Sequence, residues 1–350
     1  MKEADSDSVQ PAQASLSLTD LNSTGLNPAS SNSAQRKKIY VMLASYNGSK
    51  YIEQQVDSIL NQEKVDVTVR ISDDGSTDGT FELLQKLYGN LENVIITQRK
   101  KGLGCAGNFM SMIYEAPENY DYYAFSDQDD VWDVCKLIHA VEYIWEAEKT
   151  GKPLVYCSNR DECDSDLNVL YKNLPTNKFQ SGKDITDKKY LLTGGNLLGG
   201  NTALFNRKTL ALLKEKPVSK FPPGIYHDFW LHMVTAYCGG IVLFDLNYAG
   251  VRRRLTGDNT AGVNRKKKKI VSHILSRLRS NKPSSYKNIA EEFLNDYGNS
   301  ILKEDKEYLR LFLQESFADR VCIAKMIVAV PFRTWYAKCN AIIKVLFGRY

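Results

Sequence analysis

The stretch YYAFSDQDDVWD, residues 122–133, joins a run of aromatic and small residues to three carboxylates. The run 122–125 predicts a buried strand, and Asp127, Asp129 and Asp130 follow directly after it. Two carboxylates about 4 Å apart repel each other by roughly 4 kcal/mol at the effective dielectric of a protein surface. We therefore expect a cation at the end of this strand.

Strand and helix patterns alternate on both sides of this stretch. Helical spacing of apolar residues separates the predicted strands, which indicates βαβ units and a mostly parallel sheet covered by helices on both faces. The predicted strands are 39–44, 65–72, 93–97, 122–125 and 153–158, and the predicted helices lie around 52–60, 81–88, 109–113 and 134–145.

Three of the predicted strands end in polar motifs, namely SYNG (45–48), SDDGSTDGT (72–80) and SDQDD (126–130). Ligands of such sheets bind beyond the carboxyl ends of the strands. We therefore expect the three motifs to converge on one crevice. The second half is less regular: a glycine-rich segment, 193–207, ends in a strand, and a helix begins at His227–Asp228.

The composition indicates a globular protein with unusual ends. Of 350 residues, 43% are hydrophobic, but Ser, Asn, Ala and Gln dominate residues 1–36, which predicts a disordered tail. We find no secretory signal and no apolar run of about 18 residues. The seven scattered cysteines contain no CxxC, which argues against zinc or a disulfide framework. These features favour a cytoplasmic protein.

Each acidic motif has a structural and a functional interpretation. Turn and N-cap chemistry explains Asp78, and dipole complementarity at a helix start explains Asp130. Asp73 and Asp74 exceed what capping needs, and at a strand end they suit a nucleobase or a ribose. The D-x-D pair of Asp127 and Asp129 is typical of sites that hold Mg²⁺ or Mn²⁺ together with a diphosphate.

A rival interpretation comes from GLGCAG, which matches the dinucleotide fingerprint G-x-G-x-x-G at Gly102, Gly104 and Gly107. It would make the protein an NAD(P)-dependent enzyme. Two features disfavour it: the motif follows the third strand instead of the first, and the basic QRKK separates the strand from the glycines. His227–Asp228 is similarly ambiguous, since a helix start favours capping residues.

Taken together, the motifs resemble those of glycosyltransferase family 2. They occur in that family's order, and their amino-acid sequences are most similar to those of the rhamnosyltransferase branch, which builds bacterial cell-surface polysaccharides. The resemblance covers roughly residues 38–262 and rests on ASYNGSKYIEQQVDSILNQ (44–62), ISDDGSTDGT (71–80), AFSDQDDVW (124–132) and YHDFW (226–230). It implies a GT-A fold, which is a Rossmann-like mixed sheet flanked by helices.

The resemblance also implies residue roles. Asp127 and Asp129 would form the metal-binding DxD motif, with one carboxylate directed to the ribose and Asp129 to Mg²⁺ or Mn²⁺ bridging the diphosphate. Asp228 would be the general base of an inverting displacement, taking the proton of the acceptor hydroxyl. The nucleotide pocket would be lined by Ser45, Tyr46, Asn47, Asp73, Asp74 and Asp127.

One motif departs from the family pattern R-x-H-G-D-N. This chain has RLTGDN (254–259), with Thr256 in the place of the histidine. Thr is a poor substitute ligand, so we expect weaker metal binding. Contact with the diphosphate would then fall to the adjacent arginines Arg252, Arg253 and Arg254.

The expected activity is transfer of a sugar, L-rhamnose from dTDP-rhamnose, to a glycan acceptor on a lipid carrier. The alternatives are the same fold with UDP-glucose or UDP-galactose, and a non-catalytic nucleotide-sugar-binding member of a polysaccharide assembly complex. No motif indicates a nucleic acid partner.

Charge divides the chain into an expected catalytic domain, 37–264, and a basic helical extension, 265–350. The extension holds 18 basic and 8 acidic residues, a net charge of +10, against −5 for the remainder. It opens with RKKKK (265–269) and an apolar stripe, which favour binding to the anionic inner face of the cell membrane. Packing on the catalytic body or self-association into a homo-oligomer is the alternative. The stripe consists of Ile270, Val271, Ile274, Leu275 and Leu278.

Overall fold

The computed structural model describes residues 35–100, 102–174, 186–194, 196, 198–215, 226–256, 285–314, 316–329 and 335–347. The predicted disordered tail up to residue 34, the basic run 265–269 and the apolar stripe 270–278 lie outside these ranges.

The first half of the chain alternates strands and helices, as predicted. Every predicted strand is present, with boundaries that differ by a few residues. The elements are β1 (Lys37–Ser45), α1 (Ile52–Leu60), β2 (Val65–Asp73), α2 (Thr80–Tyr88), β3 (Val94–Gln98), α3 (Gly104–Glu115), β4 (Tyr122–Ser126), β5 (Val131–Trp132), α4 (Lys136–Tyr143) and α5 (Trp145–Glu148).

Two helices differ from the prediction. The expected single helix over 134–145 is divided into α4 and α5, and Val134 lies before it in a turn. The turn at Val134 has a local cause, because the Asp133 side chain accepts the N–H of Cys135 at 3.0 Å and the Asp133 carbonyl accepts the N–H of Lys136. Helix α3 is longer than expected and begins at Gly104.

The second half contributes both strands and helices to the same unit. Its elements are β6 (Leu154–Cys163), β7 (Val169–Leu174), α6 (Lys188–Gly194), a 3₁₀ turn (Gly200–Thr202), β8 (Leu204–Asn206), α7 (Arg207–Glu215), α8 (His227–Tyr237), β9 (Ile241–Arg254), α9 (Ser285–Tyr297), α10 (Lys303–Leu311), α11 (Phe317–Ala329) and α12 (Trp335–Leu346).

The strands form one nine-stranded mixed sheet in the order β3-β2-β1-β4-β8-β6-β9-β5, with β7 paired to β6. Strands β1 to β4 are parallel, but β8 runs antiparallel to both β4 and β6. The prediction of a mostly parallel sheet is therefore correct for β1 to β4, whereas the remaining strands mix a parallel pair, β6 with β9, and antiparallel pairs. Strand β8 reverses direction because it starts at the crevice end of β4, where Leu204 pairs with Ala124, and ends beside Tyr122.

Helices cover both faces of this sheet, which gives two hydrophobic clusters. On one face, α1, α2 and α4 pack residues such as Val56, Leu84 and Leu137 against the strands. On the other face, α3, α8 and the C-terminal helices share a larger cluster in which the Trp230 and Phe293 rings meet edge to face at 5.5 Å. The predicted mixed sheet flanked by helices, with a helical C-terminal region, is confirmed.

Two further predictions concern the whole chain. The structure has all seven cysteines as free thiols. Among the described residues, no helix combines the length and the apolar character needed to cross a membrane.

Candidate active site

The polar ends of β1, β2 and β4 meet at one edge of the sheet, as predicted. Ser45 is the register partner of Asp73, and its hydroxyl donates to the Asp73 carboxylate at 3.0 Å. Gln128 of the SDQDD motif joins the third strand end to the first: its side-chain amide accepts the Tyr46 N–H at 2.7 Å and donates to the Tyr46 carbonyl at 3.0 Å. Gln128 was not predicted from the sequence as a site residue. Its position between Asp127 and Asp129 was the signal that could have identified it.

The predicted nucleotide pocket contains both open and enclosed side chains. Tyr46 is 57% exposed, and Asn47 is also exposed, with a left-handed backbone (φ 50°). The Asn47 side chain accepts the N–H of Thr77 at 2.9 Å. Tyr46 and Asn47 therefore present an open surface beside the crevice.

Asp73, by contrast, is fully buried and organises the turn. Its carboxylate accepts the N–H groups of Gly75 and Ser76 at 3.2 and 2.8 Å, and the Gln98 amide at 3.2 Å, in addition to the Ser45 hydroxyl. The prediction that Asp78 serves turn chemistry is confirmed, because its carboxylate accepts the N–H groups of Thr80 and Ser49.

Asp74 connects this turn to helix α3. Its two carboxylate oxygens accept the N–H groups of Leu103 and Gly104, each at 2.8 Å. In a dinucleotide-binding fold, such N–H groups at the helix N-terminus hold the pyrophosphate. Here they donate to a carboxylate of the protein itself, so the turn does not fit the NAD(P) interpretation of GLGCAG.

The carboxylates after β4 form a crowded cluster. Asp127 and Asp129 are half-buried, and Asp130 is fully buried. Burial raises the pKa of all three, and the neighbouring Asp127 adds to this effect for Asp129, whose pKa rises to about 6. The Asn201 side chain donates to one oxygen of Asp130, whereas Oδ1 has no hydrogen-bond partner within the described ranges. The repulsion expected from the sequence is present.

Arginines from β9 supply positive charge to this cluster. The Arg253 guanidinium opposes the rise in pKa of Asp127 and Asp129. Arg254 is buried, donates to the Asp129 carbonyl at 2.9 Å and thereby fixes the backbone of the motif. Arg252 is exposed and pairs in register with Val131 of β5.

Thr256, which replaces the family histidine, also reaches the cluster. Its hydroxyl lies 3.4 Å from Asp129 Oδ2, within hydrogen-bonding distance. The position therefore faces the carboxylate that the resemblance assigns to the metal, while a hydroxyl takes the place of an imidazole ligand.

The donor set fits a divalent cation that arrives with its diphosphate. In the described residues no group of three or more His, Cys, Asp or Glu side chains is arranged to hold a metal. Mg²⁺ is commonly bound by one or two carboxylates, with substrate phosphates and water completing its shell. Asp127 and Asp129 match that pattern, and a cation there would relieve their mutual repulsion.

Asp228 lies in the first turn of α8. Its carboxylate accepts the N–H of Phe229 at 2.7 Å and hydrogen-bonds with the Gly200 backbone and the Asn196 side chain. Burial nevertheless raises its pKa to about 6. The charge of Asp228 in turn contributes to the raised pKa of Asp127, so the two carboxylates are close enough to interact electrostatically.

His227, the residue beside it, is part of the core. Its ring stacks on Phe109 at 3.9 Å and meets Phe125 edge to face at 4.7 Å. Neither ring nitrogen has a hydrogen-bond partner in the described part of the chain, and burial lowers the pKa to about 3. A neutral His227 therefore packs behind Asp228.

The loop before β8 ties these parts together, and sequence reasoning did not foresee it. Asn201 contacts Asp130, Gly200 contacts Asp228, and Arg160 of β6 packs on Gly199. The glycine-rich composition of residues 193–207 was the signal for this loop, since a backbone that packs closely against other residues needs glycines.

Comparison with known proteins gives one family. The model of glycosyl transferase family 2 matches residues 40–213. A dTDP-rhamnosyl transferase of Shigella flexneri is 40% identical over 104 residues, which are 29% of this chain and 36% of that protein. An abequosyltransferase of Salmonella typhimurium is 31% identical over 145 residues, 38% of this chain and 44% of that protein. The chain thus covers less than half the length of these relatives.

One solved structure similar to this chain is Staphylococcus aureus TarS 1–349 in complex with UDP-GlcNAc. It has 18% sequence identity and a TM-score of 0.48 over 89% of this chain and 90% of TarS 1–349. A likeness of this size carries no argument about the site.

Proposed function

Because the chain belongs to glycosyl transferase family 2 through residues 40–213, we propose that it transfers a sugar from a nucleotide-sugar donor to a glycan acceptor in the synthesis of a bacterial surface polysaccharide. The nucleotide would bind at the ends of β1 and β2, the diphosphate beside the SDQDD motif, and the acceptor beside Asp228.

One observation carries this proposal. Asp228 and the SDQDD motif, about 100 positions apart in the chain, are joined through two consecutive residues, because the Gly200 backbone hydrogen-bonds with Asp228 and the Asn201 side chain donates to Asp130. A carboxylate pair for a cation and a separate carboxylate with a raised pKa are the two groups that an inverting transfer requires.

The reaction would be a single displacement. An acceptor hydroxyl oxygen forms a bond to the anomeric carbon while the bond from that carbon to the diphosphate oxygen breaks, and its electron pair stays on the diphosphate. Asp228 takes the proton of the attacking hydroxyl, for which it must be ionised, and the N–H groups of Gly200 and Phe229 orient its carboxylate. A Mg²⁺ or Mn²⁺ ion held by Asp127 and Asp129 would supply Lewis-acid stabilisation of the departing diphosphate.

Within this class we propose dTDP-L-rhamnose as the donor. The support is the 40% identity over 104 residues to a dTDP-rhamnosyl transferase, whereas a UDP-glucose-dependent glucosyltransferase of Escherichia coli is 30% identical over 111 residues and a chondroitin synthase of Escherichia coli is 46% identical over a shorter stretch of 71 residues. Both matches are partial, so UDP-glucose and UDP-galactose belong in the same experiment as competing donors.

The test is saturation-transfer NMR with dTDP-rhamnose, UDP-glucose and UDP-galactose, each with and without Mn²⁺. We expect Mn²⁺-dependent binding of dTDP-rhamnose, with contacts to both the base and the sugar. Preferential binding of a UDP-sugar would replace the donor assignment. Absence of binding to any nucleotide sugar would contradict the proposed function.

A further inference from the structure

Arg160, near the end of β6, has an unusual environment for an arginine. Its side chain is 17% exposed, and its Nε is buried without a hydrogen-bond partner among the described residues. Leaving a charged donor buried and unmatched is costly, and native proteins seldom do so without a reason. The described residues therefore leave part of the hydrogen-bonding capacity of this guanidinium unused.

Two guanidinium groups lie close together at this point, beside the carboxylates of the site. Glu162 Oε1 lies 3.2 Å from Arg253 Nη1 and 3.8 Å from Arg160 Nη2, so two guanidinium groups share one carboxylate. Burial and the charge of Arg253 both lower the pKa of Arg160. Guanidinium groups beside a metal-binding carboxylate pair are suited to the phosphates that arrive with the metal.

The position of the guanidinium places it inside the candidate active site. A Cβ atom built on Gly199 would lie 2.6 Å from Arg160 Nη1, so the guanidinium packs directly on the backbone of that glycine. The next residue, Gly200, hydrogen-bonds with Asp228. Asp127 and Asp130 are also within electrostatic range of Arg160.

We propose that Arg160 binds the diphosphate of the nucleotide-sugar donor between the Asp127–Asp129 pair and Asp228. This inference rests on the proposed function. The fork of a guanidinium matches phosphate oxygens, and hydrogen bonds between two charged groups are about twice as strong as neutral ones. As the bond to the sugar breaks, its electron pair adds charge to the diphosphate oxygen, and the charge of Arg160 stabilises it.

The experiment compares Arg160→Met with wild type in the full chain. Calorimetry measures binding of dTDP and UDP in the presence of Mn²⁺, and saturation-transfer NMR measures binding of thymidine and uridine. Loss of charge-assisted hydrogen bonds predicts roughly ten- to a hundredfold weaker nucleoside diphosphate binding. Nucleoside binding is expected to stay unchanged, because Arg160 contacts the diphosphate alone.

Two further variants sharpen this test. Arg70→Met is the matched control, because Arg70 is also largely buried (12% exposed) and ion-paired, with Glu115 at 2.9 Å, but contacts none of the site residues. It should leave both affinities unchanged. Arg160→Lys keeps the charge without the fork and should fall between wild type and Arg160→Met; it also serves if Arg160→Met fails to fold.

The inference is overturned by unchanged nucleoside diphosphate affinity in both Arg160 variants, or by equal losses for diphosphate and nucleoside. Failure of the proposed function would give a different result, because the wild-type protein itself would then bind neither dTDP nor UDP.

Discussion

At the scale of single residues, the environment of Asp228 decides what its carboxylate can do. Burial raises its pKa to about 6, while the N–H groups of Gly200 and Phe229 and the charge of Arg160 limit that rise. The balance leaves a carboxylate that is ionised at neutral pH yet basic enough to accept a proton. Catalytic bases work best when their pKa lies near the working pH.

Asp228→Asn should separate catalysis from structure. Asn fills the same volume and accepts hydrogen bonds, but it cannot take up a proton, so we expect turnover to fall by roughly 10²–10⁴-fold. Because ionised Asp228 is disfavoured by burial, its replacement should leave the melting temperature at pH 7 unchanged or higher. Steady-state kinetics, melting and dTDP-binding measurements check this, and near wild-type turnover would assign the base to another residue.

The pH dependence of turnover follows from the same carboxylate. The base must be ionised, and a pKa of about 6 predicts that turnover rises tenfold per pH unit below that value and levels off above it. Asp129 has a similar pKa without a cation, but saturating Mn²⁺ would keep it ionised. The acidic limb should therefore persist at saturating Mn²⁺ and disappear from the residual activity of Asp228→Asn.

Asp129→Ala should remove the metal dependence of donor binding. Two oxygens near Asp127 are lost, and Thr256 offers only a hydroxyl, so Mn²⁺ should no longer strengthen dTDP binding. The fold should survive, since mutual repulsion within the cluster is relieved. Asp133→Ala, at an exposed carboxylate after the same motif, is the control. An unchanged Mn²⁺ effect in Asp129→Ala would show that the metal assignment is wrong.

The sequence singled out the acidic residues of this candidate site and the arginines of β9, but not Arg160. Asp127, Asp129 and Asp228 stand at element ends, which are visible in the pattern of strands and turns. Arg160 lies within β6, and nothing local distinguishes it from a solvated strand residue. Its role depends on pairing with β9, which brings Arg253 beside Glu162, and such long-range pairing leaves no local signal.

At the scale of elements, the loop from Gly199 to Asn201 holds the site in register. It links Asp130 of the SDQDD motif, Asp228 of α8 and Arg160 of β6, which come from three different parts of the chain. Its glycines are needed for space: a Cβ on Gly200 would lie 2.6 Å from His227 Nε2 and 3.4 Å from Asp228 Cβ.

Gly200→Ala should disturb Asp228 through His227. The His227 ring is confined between Phe109 and Phe125, so it cannot yield without repacking the core. We expect destabilisation of about 1–3 kcal/mol, the usual cost of overpacking, together with reduced turnover. In a double-mutant cycle, Gly200→Ala should cost less in a His227→Ala background, where the ring is gone. Additive effects in melting experiments would contradict this explanation.

The secondary-structure elements were predicted accurately where the hydrophobic periodicity is strong. The prediction was less accurate where long-range strand pairing determines the direction of a strand. Strands β1 to β4 were predicted because each is followed by turn residues and a helical pattern. The three residues of β8 run against their neighbours, and their direction depends on where the preceding loop enters the sheet. That information lies in the contacts of the loop, outside any local window.

At the scale of the whole molecule, the C-terminal helices are part of the core. Ile289, Phe293 and Tyr297 of α9 are buried in the same cluster as Trp230 and Tyr237 of α8. Replacing one such aromatic residue with alanine typically costs about 3–5 kcal/mol. Deleting everything after residue 264 would therefore uncover the face of α8 and confound any binding assay. The sequence showed that the chain beyond residue 285 is rich in apolar residues, but it did not show that these residues pack against α8.

Membrane binding, which we propose for the basic extension, is better tested by charge than by truncation. Each basic residue near an anionic bilayer contributes about 1 kcal/mol, so replacing Arg265 and the four lysines 266–269 with Gln should greatly reduce binding. The matched control replaces five basic residues of the first 264 positions with Gln: Lys38, Lys64, Lys86, Lys149 and Lys172. Sedimentation with phosphatidylserine-containing vesicles should show loss of pelleting for the first variant, retention for the control, and weakening of wild-type binding as salt rises. Equal pelleting with neutral vesicles, or no difference between the variants, would indicate that the extension acts in packing and self-association instead.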